Sequence, residues 1–508
     1  MTKINEKKIL FLLLSLHLVI TLPLAFFLNV WADEASTLAT TEYGFLQTFQ
    51  TVHNEKQAPL YFLLVGLWRE LNGSIFFARL FSIICSLLAI KVFFDLARKF
   101  FNEKAAIFVT AAFALHPFLI WASLEIRVYS LVVLLSVLLL KFFYEGYREE
   151  NPAKAQRTQR KAQVYFVLTS IFSLYANYYL GFLLVGCFAA HLVLKRWKEA
   201  RSYFLQMLVV GVAILPLIWI IKSQFAVRAA TFQAEKSLLE GVRILWHHFL
   251  TFVLPTEIYP TDTASYFSIF RLWFARLAVL AIIFLLIKNK GKIADEKIFV
   301  FGTISSVIGL FFLIAYLLLG SEFIAIRHAA VLFAPVILLV AGVLIEIRPR
   351  KNNLEFIYAG ILAALLAIFF SYSIFALYPN LAKRGDWRRV AAFIEQNEKA
   401  NQPIVVFQAY DVLPFRFHYQ GINKILPDER ILEWSLEDEF GSPNSFSKQI
   451  EFVISEIPPE AREIWLATDE SCQKTEGCRD LENFVQTNYT IEQTQDFYVE
   501  RIRLLRKR

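Results

Sequence analysis

Charge and cysteine are both scarce in this chain. Only 19% of its 508 residues are charged while 57% are hydrophobic, and the apolar residues come in long blocks. That balance excludes a single soluble domain and indicates membrane insertion. Of the four cysteines, none has a zinc-ligand or catalytic spacing. Cys85 and Cys187 sit in apolar runs, whereas Cys472 and Cys478 lie close together in a polar tail. There they read equally as one short disulfide in an oxidising compartment or as two separate thiols. No Walker loop or dinucleotide glycine fingerprint occurs, so the sequence offers no nucleotide site. Internal repeats and low-complexity runs are also missing.

What is present is a basic excess with a particular location. The formal net charge is +8, yet from Pro379 onward 22 acidic residues face 17 basic ones. The tail therefore carries −5 and the apolar part +13. Much of that positive charge sits in short loops between apolar runs, which is a signal of membrane topology rather than of nucleic-acid binding.

Apolar segments fall at 9–30, 76–95, 105–122, 128–144, 163–179, 180–194, 203–221, 271–287, 298–319, 329–347 and 354–378, predicting eleven crossings. With the amino end inside, the inner loops carry Arg98, Lys99 and Lys104, then Arg157, Arg160 and Lys161, then Lys195, Arg196 and Lys198. Later inner loops carry Lys288 and Lys290, then Arg348 and Arg350. Every predicted inner loop is basic. The apolar segment from Ala58 to Leu71 is too short to span, about 21 Å as a helix, and an interfacial helix at 58–72 is expected to lie at the outer interface with Trp68 and Arg69 at the headgroups.

An odd number of crossings puts the tail outside. The expectation is a transmembrane domain over 1–378, with an outer loop at 31–57, and a soluble extracytoplasmic α/β domain over 379–508. In that tail a helix is expected at 387–397 and strands at 403–408, 464–467 and 497–505.

Charges at a membrane boundary cost several kcal/mol unless solvated or paired, so their positions are informative. Asp33 and Glu34 follow the first span directly. Adjacent carboxylates there suit a general base and a ligand for a divalent cation, or equally the acidic cap of an interfacial helix. The next outer turn holds Glu125, Arg127 and Tyr129. A guanidinium in that place suits a phosphate, while a plain Glu125–Arg127 ion pair is the alternative. Arg79 opens the second span, and Arg327 with His328 sits at the outer end of the tenth. Each of these cations also fits simple snorkelling. Carboxylates and arginines thus converge from four outer segments.

These landmarks resemble, in order, those of the polyprenyl-phosphate-dependent membrane glycosyltransferases with the GT-C fold, the superfamily of protein O-mannosyltransferases, aminoarabinose transferases and rhizobial lipopolysaccharide transferases. Asp33-Glu34-Ala35 resembles the acidic motif of the first outer loop, and Gln57-Ala58-Pro59-Leu60-Tyr61 resembles His-Pro-Pro-Leu-Tyr. Arg79-Leu80-Phe81-Ser82 resembles the Arg-Leu-Pro-Ser start of the next span, and Glu125-Ile126-Arg127-Val128-Tyr129 resembles Glu-Ala-Arg-x-Tyr. Asn177-Tyr178 stands where Thr-His is usual, Arg327-His328 with Pro335 is similar to an Arg-Tyr…Pro segment, and Asp386-Trp387-Arg388 is similar to the start of the bacterial tail domain. Gln57 and Asn177-Tyr178 depart from the pattern and remove the histidines found there in the family.

The resemblance implies a multi-pass enzyme of the bacterial cytoplasmic membrane, amino end inside and tail outside. It would move a sugar from a polyprenyl-phosphate donor to a lipid, glycan or protein acceptor at the outer face, with inversion. Asp33 would be the general base and Glu34 its assistant, with a divalent metal as an option on that pair. Arg79, Glu125, Arg127, Tyr129, Arg327 and His328 would attend the lipid phosphate, and Gln57, Tyr61, Asn177 and Tyr178 the acceptor. Two rivals from other classes are a transporter or flippase of lipid-linked glycans and a non-catalytic assembly protein. A transporter places its charges near the midplane in broken-helix repeats, which this sequence lacks.

Overall fold

The computed structural model describes residues 6–52, 57–147, 153–222, 237–255, 266–288, 296–348, 352–407, 411–427, 452–469, 472 and 476–508. The chain divides into two compact units, one of which comprises Phe26–Glu42 and Tyr378–Arg508 together, with the apolar helices making up the other.

A helix occupies each of the eleven apolar segments. They are α1 (Glu6–Phe27), α5 (Ile75–Phe100), the pair α6 (Glu103–Ala114) and α7 (Pro117–Ser123), α8 (Tyr129–Tyr147), α9 (Ala153–Ala176), α10 (Leu180–Val193), α11 (Trp197–Ala213), α13 (Tyr266–Lys288), α14 (Glu296–Leu319), α15 (Ala330–Glu346) and α16 (Asn352–Leu377). Among the described residues five helices are each long and apolar enough to cross a membrane, and six when the bent pair α6–α7 counts as one span. The chain is thus a polytopic α-helical membrane protein.

Local chemistry fixes the breaks. Ser74 accepts from the Phe77 N–H to start α5, and Asn102 accepts from the Ala105 N–H to start α6. Pro117 has no N–H to offer the α6 ladder, and His116 Nδ1 accepts the Phe118 N–H at 3.0 Å, so α7 restarts at an angle of 52°. Phe93, Phe113 and Phe333 stack through the middle of this unit, with ring centroids 3.9 and 5.0 Å apart. At Gly186 on α10 a Cβ would stand 3.1 Å from the Ile304 Cα of α14, so these two helices approach through a missing side chain.

Three helices outside the expected spans complete this part of the chain. α3 (Gly44–Thr51) follows the acidic loop, and α4 (Leu60–Arg69) matches the expected interfacial segment. The Trp68 indole N–H of α4 donates to the Phe77 carbonyl at 2.8 Å and its ring stacks on Phe77 at 4.7 Å. Trp68 thereby packs on the start of α5. The amphipathic α12 (Leu238–Val253) was absent from the sequence expectation; it buries His248, Leu250 and Phe252 and exposes Leu238 and Leu239.

In the other unit a mixed five-stranded sheet has the order β2-β1-β3-β5-β4, formed by β1 (Ile404–Phe407), β2 (Ile425–Leu426), β3 (Glu463–Asp469), β4 (Tyr489–Asp496) and β5 (Glu500–Lys507). β1 runs parallel to β2 and β3, and β5 runs antiparallel to β3 and β4. α17 (Trp387–Asn397) spans the stretch expected to be a helix and covers one sheet face with Trp387, Val390 and Ile394 against Ile404, Val406 and Trp465. The opposite face buries Val405, Phe407, Leu466 and Leu505 under Leu481 and Val485 of α19 (Glu476–Asn488). This alternation is the period of two that a sheet buried on both sides requires. Cys472 and Cys478 are joined as a disulfide, with Cα atoms 5.1 Å apart.

The division between units falls between Leu377 and Tyr378, and residues 26–42 go with the tail. The cause is a set of long-range polar bonds. Asn29 Nδ2 donates to the Lys383 carbonyl at 3.0 Å and Asn29 Oδ1 accepts the Lys383 N–H at 2.8 Å. His418 Nε2 accepts the Val30 N–H, Arg388 donates to the Phe26 and Phe27 carbonyls, and the Arg384 guanidinium lies 4.1 Å over the Trp31 ring.

Candidate functional site

The acidic pair sits in the first turn of α2 (Ala32–Thr40), where carboxylates meet the positive end of the helix. Asp33 is half-buried, whereas Glu34 is fully enclosed. Lys383 Nζ lies 2.9 Å from Glu34 Oε1 and is itself buried. Burying two ions is stabilising only when they compensate each other, so Glu34 and Lys383 are matched partners. α2 also packs against α18 (Val412–Arg416). The helix that carries Asp33 is therefore held by the tail of the chain.

These residues do not fit a divalent cation. Among the described residues no group of three or more His, Cys, Asp or Glu side chains comes together, and the Glu34 carboxylate already faces an ammonium group. A metal needs several anionic or neutral oxygen donors, and a neighbouring cation opposes its charge.

In the helical unit, Arg79 is completely buried on α5 and its Nη1 donates to the Ala25 carbonyl at 3.0 Å. A cation is favoured there because the carbonyls ending α1 have no helical partners. One turn along, Ser82 Oγ donates to the Glu125 carbonyl at 2.6 Å, which joins the start of α5 to the turn between α7 and α8. Glu125 is fully buried, and Arg127 and Tyr129 nearly so. The Trp121 and Tyr129 rings stack at 4.9 Å.

Behind that turn runs a hydroxyl network that sequence reading missed. Ser130 Oγ donates to the Ala122 carbonyl at 2.6 Å and lies 3.2 Å from Ser86 Oγ. Ser123 Oγ is 2.8 Å from Ser86 Oγ and 3.0 Å from His17 Nε2, and His17 Nδ1 reaches the Ala114 carbonyl at 2.7 Å. Buried and mutually satisfied, these groups fix the backbone that presents Glu125 and Arg127. The signal was serine recurring in otherwise apolar helices.

Tyr61 is buried and its ring meets Phe81 at 6.0 Å, while Gln57 stands half-buried just before α4. Asn177 Oδ1 accepts the Tyr179 N–H at 3.0 Å and shapes the turn between α9 and α10, with Tyr178 half-buried beside it. Tyr179 was not among the expected site residues, yet it ties two of them together. Its ring stacks on His328 at 5.1 Å, and its hydroxyl donates to the Phe323 carbonyl at 2.9 Å. The Asn177-Tyr178 and Arg327-His328 elements are thus neighbours. A further buried guanidinium, Arg271 of α13, was also missed; the only sequence signal was an arginine early in an apolar run.

No family model matches this chain, and no curated protein matches it. Solved structures do. ArnT from Cupriavidus metallidurans in the apo state aligns with a TM-score of 0.55 at 14% identity, covering 97% of each chain. The oligosaccharyltransferase of Archaeoglobus fulgidus in the apo form aligns with a TM-score of 0.53 at 12% identity, covering 93% of this chain and 70% of that one. The GT-C fold expected from the ordered landmarks is the fold the chain has.

Proposed function

We propose that the chain is a membrane glycosyltransferase that transfers a sugar from a polyprenyl-phosphate carrier to an acceptor hydroxyl at the outer face of the cytoplasmic membrane. The observation that carries this reading is the enclosure of Arg79, Glu125 and Arg127 around one turn of an apolar helical unit. Guanidinium groups are kept in such surroundings at a cost, and a lipid-borne phosphate is the anion that reaches them there. The fold, shared with a protein named as an oligosaccharyltransferase, supports the same reading.

In this mechanism Asp33 takes the proton of the acceptor hydroxyl as its oxygen bonds to the anomeric carbon. The bond from that carbon to the phosphate oxygen breaks, and its electron pair leaves with the lipid phosphate. Arg79, Arg127 and Arg327 stabilise the charge that gathers there, the largest single contribution expected in a transfer of this kind. Attack opposite the leaving group inverts the anomeric centre. Glu34 positions the base through Lys383, and no step passes through a metal. Gln57, Tyr61, Asn177 and Tyr178 are assigned to the acceptor.

The test is a deletion strain carrying Asp33→Asn. Lipid-linked sugar should accumulate, by mass analysis, as it does in the deletion alone, with the variant still inserted in the membrane. Transfer close to that of the parent chain would remove Asp33 from the mechanism.

A further inference from the structure

A cavity of about 310 Å³ opens among the helix ends that carry the basic loops, where α5, α8, α10 and α14 meet. Its walls are apolar, built by Phe100, Leu140, Phe143 and Phe301. Its polar groups are His191, Arg196, Glu296 and Lys297, with the tyrosines Tyr144 and Tyr147 beside them. None of these belongs to the outer-loop residues assigned to sugar transfer.

His191 is almost completely buried, and among the described residues its Nε2 has no hydrogen-bonding partner. The hydroxyls of the two tyrosines against its ring are committed elsewhere, Tyr147 donating to Gln206 Oε1 at 2.5 Å and Tyr203 to the Leu184 carbonyl at 2.7 Å. The imidazole packs beside the Phe143 and Tyr147 rings, with centroids 4.9 and 5.2 Å away. An imidazole nitrogen left unsatisfied inside a protein loses the bond that water gave it, so one beside a cavity marks a place where something else binds.

The surroundings select an anion. Two cations, Arg196 and Lys297, line the cavity against one carboxylate, Glu296, which accepts from Arg196 at 2.7 Å. Lys297 Nζ donates to the Phe100 carbonyl at 2.9 Å, which holds the ammonium group at the cavity wall. Glu296 and Lys297 are the first two residues of the 24-residue α14, so the positive end of that helix adjoins the same space. We propose that this cavity binds a phosphate group, with His191 Nε2–H, Lys297 Nζ and Arg196 as donors. The phosphate is carried either by an anionic membrane lipid, whose chains would lie along Leu140, Phe143 and Phe301, or by a free phosphate.

Native mass spectrometry of the full-length chain in detergent tests this, with phosphatidylglycerol, diacylglycerol and inorganic phosphate offered separately. The parent chain should retain phosphatidylglycerol or inorganic phosphate well above diacylglycerol. Lys297→Gln and His191→Phe should each lower that retention about tenfold, the effect of losing one charge-assisted or buried donor, and Lys297→Arg should keep most of it. Retention of phosphatidylglycerol alone identifies a lipid site, and retention of inorganic phosphate with the same variant pattern a site for free phosphate. Lys297 is only half-buried, so Lys297→Gln reports on binding even if His191→Phe folds poorly. Binding of neither phosphate probe, or binding that Lys297→Gln leaves unchanged, overturns the proposal.

Discussion

Lys383 Nζ meets Glu34 Oε1 at 2.9 Å, with both side chains shut away from solvent at 3% and 0% exposure. This pair joins the loop after the first apolar helix to the segment that follows the last one, and it helps to hold the helix bearing Asp33. Lys383→Met should take the ammonium group away from a buried carboxylate and cost about 3 kcal/mol, whereas the double change Lys383→Met with Glu34→Leu should recover most of the loss. Thermal unfolding of the purified variants measures both, and a single variant as stable as the double would contradict the pairing.

Glu500 gives a pH dependence with a definite sign. Burial pushes its carboxyl up to about 7, opposed by the Asp386 and Val499 amides and reinforced by the Asp386 charge. Burial followed by the Asp469 and Glu500 charges also raises Asp411. The folded state therefore holds protons that the unfolded chain releases near the ordinary carboxylate value. The stability this provides is complete below about 4.5 and disappears as pH rises through about 7. From Glu500 alone the loss should be at most about 3 kcal/mol. Unfolding midpoints between pH 4.5 and 7.5 should fall in the parent chain and flatten in Glu500→Gln.

Arg127→Gln should lower kcat/KM for sugar transfer by about 10² to 10³, the range for losing one preorganised donor to a developing charge. Arg127→Lys should restore only part of it, since an ammonium group cannot offer the paired bonds of a guanidinium. A membrane assay with lipid-linked donor reads both, and equal rates for parent and Arg127→Gln would exclude Arg127 from charge stabilisation.

Gly385→Ala should destabilise the tail by about 2 kcal/mol through backbone strain and crowding combined. Its φ is +141°, and an added Cβ would stand 2.6 Å from Glu500 Oε1, the oxygen that accepts the Asp386 N–H at 2.7 Å. Protease protection of the tail is the measurement, and protection equal to the parent chain would contradict the crowding.

The helices were legible because hydrophobic length is written directly in composition, and all eleven apolar segments are helical. α12 escaped because Glu240, Arg243, His247 and His248 interrupt its apolar residues, whose regularity shows only around the helix. β4 escaped for the opposite reason: it is an edge strand, exposed from Thr490 to Asp496, and has little apolar alternation to reveal it. At the site, the ordered motifs identified which residues to inspect. Local sequence held no sign that Glu34 meets Lys383, that Asn29 meets the backbone at Lys383, or that Tyr179 stacks on His328. Each is a bond between distant parts of the chain, and only the fold decides which parts meet.

The union of residues 26–42 with the carboxyl-terminal segment has a consequence for biosynthesis. The ribosome makes the early loop long before Lys383, Arg388 and His418 exist to receive it. Until that part of the chain is made, Asn29, Trp31 and Glu34 lack the companions they have in the finished fold. Assembly of the helix carrying Asp33 is therefore a late event in the making of the chain.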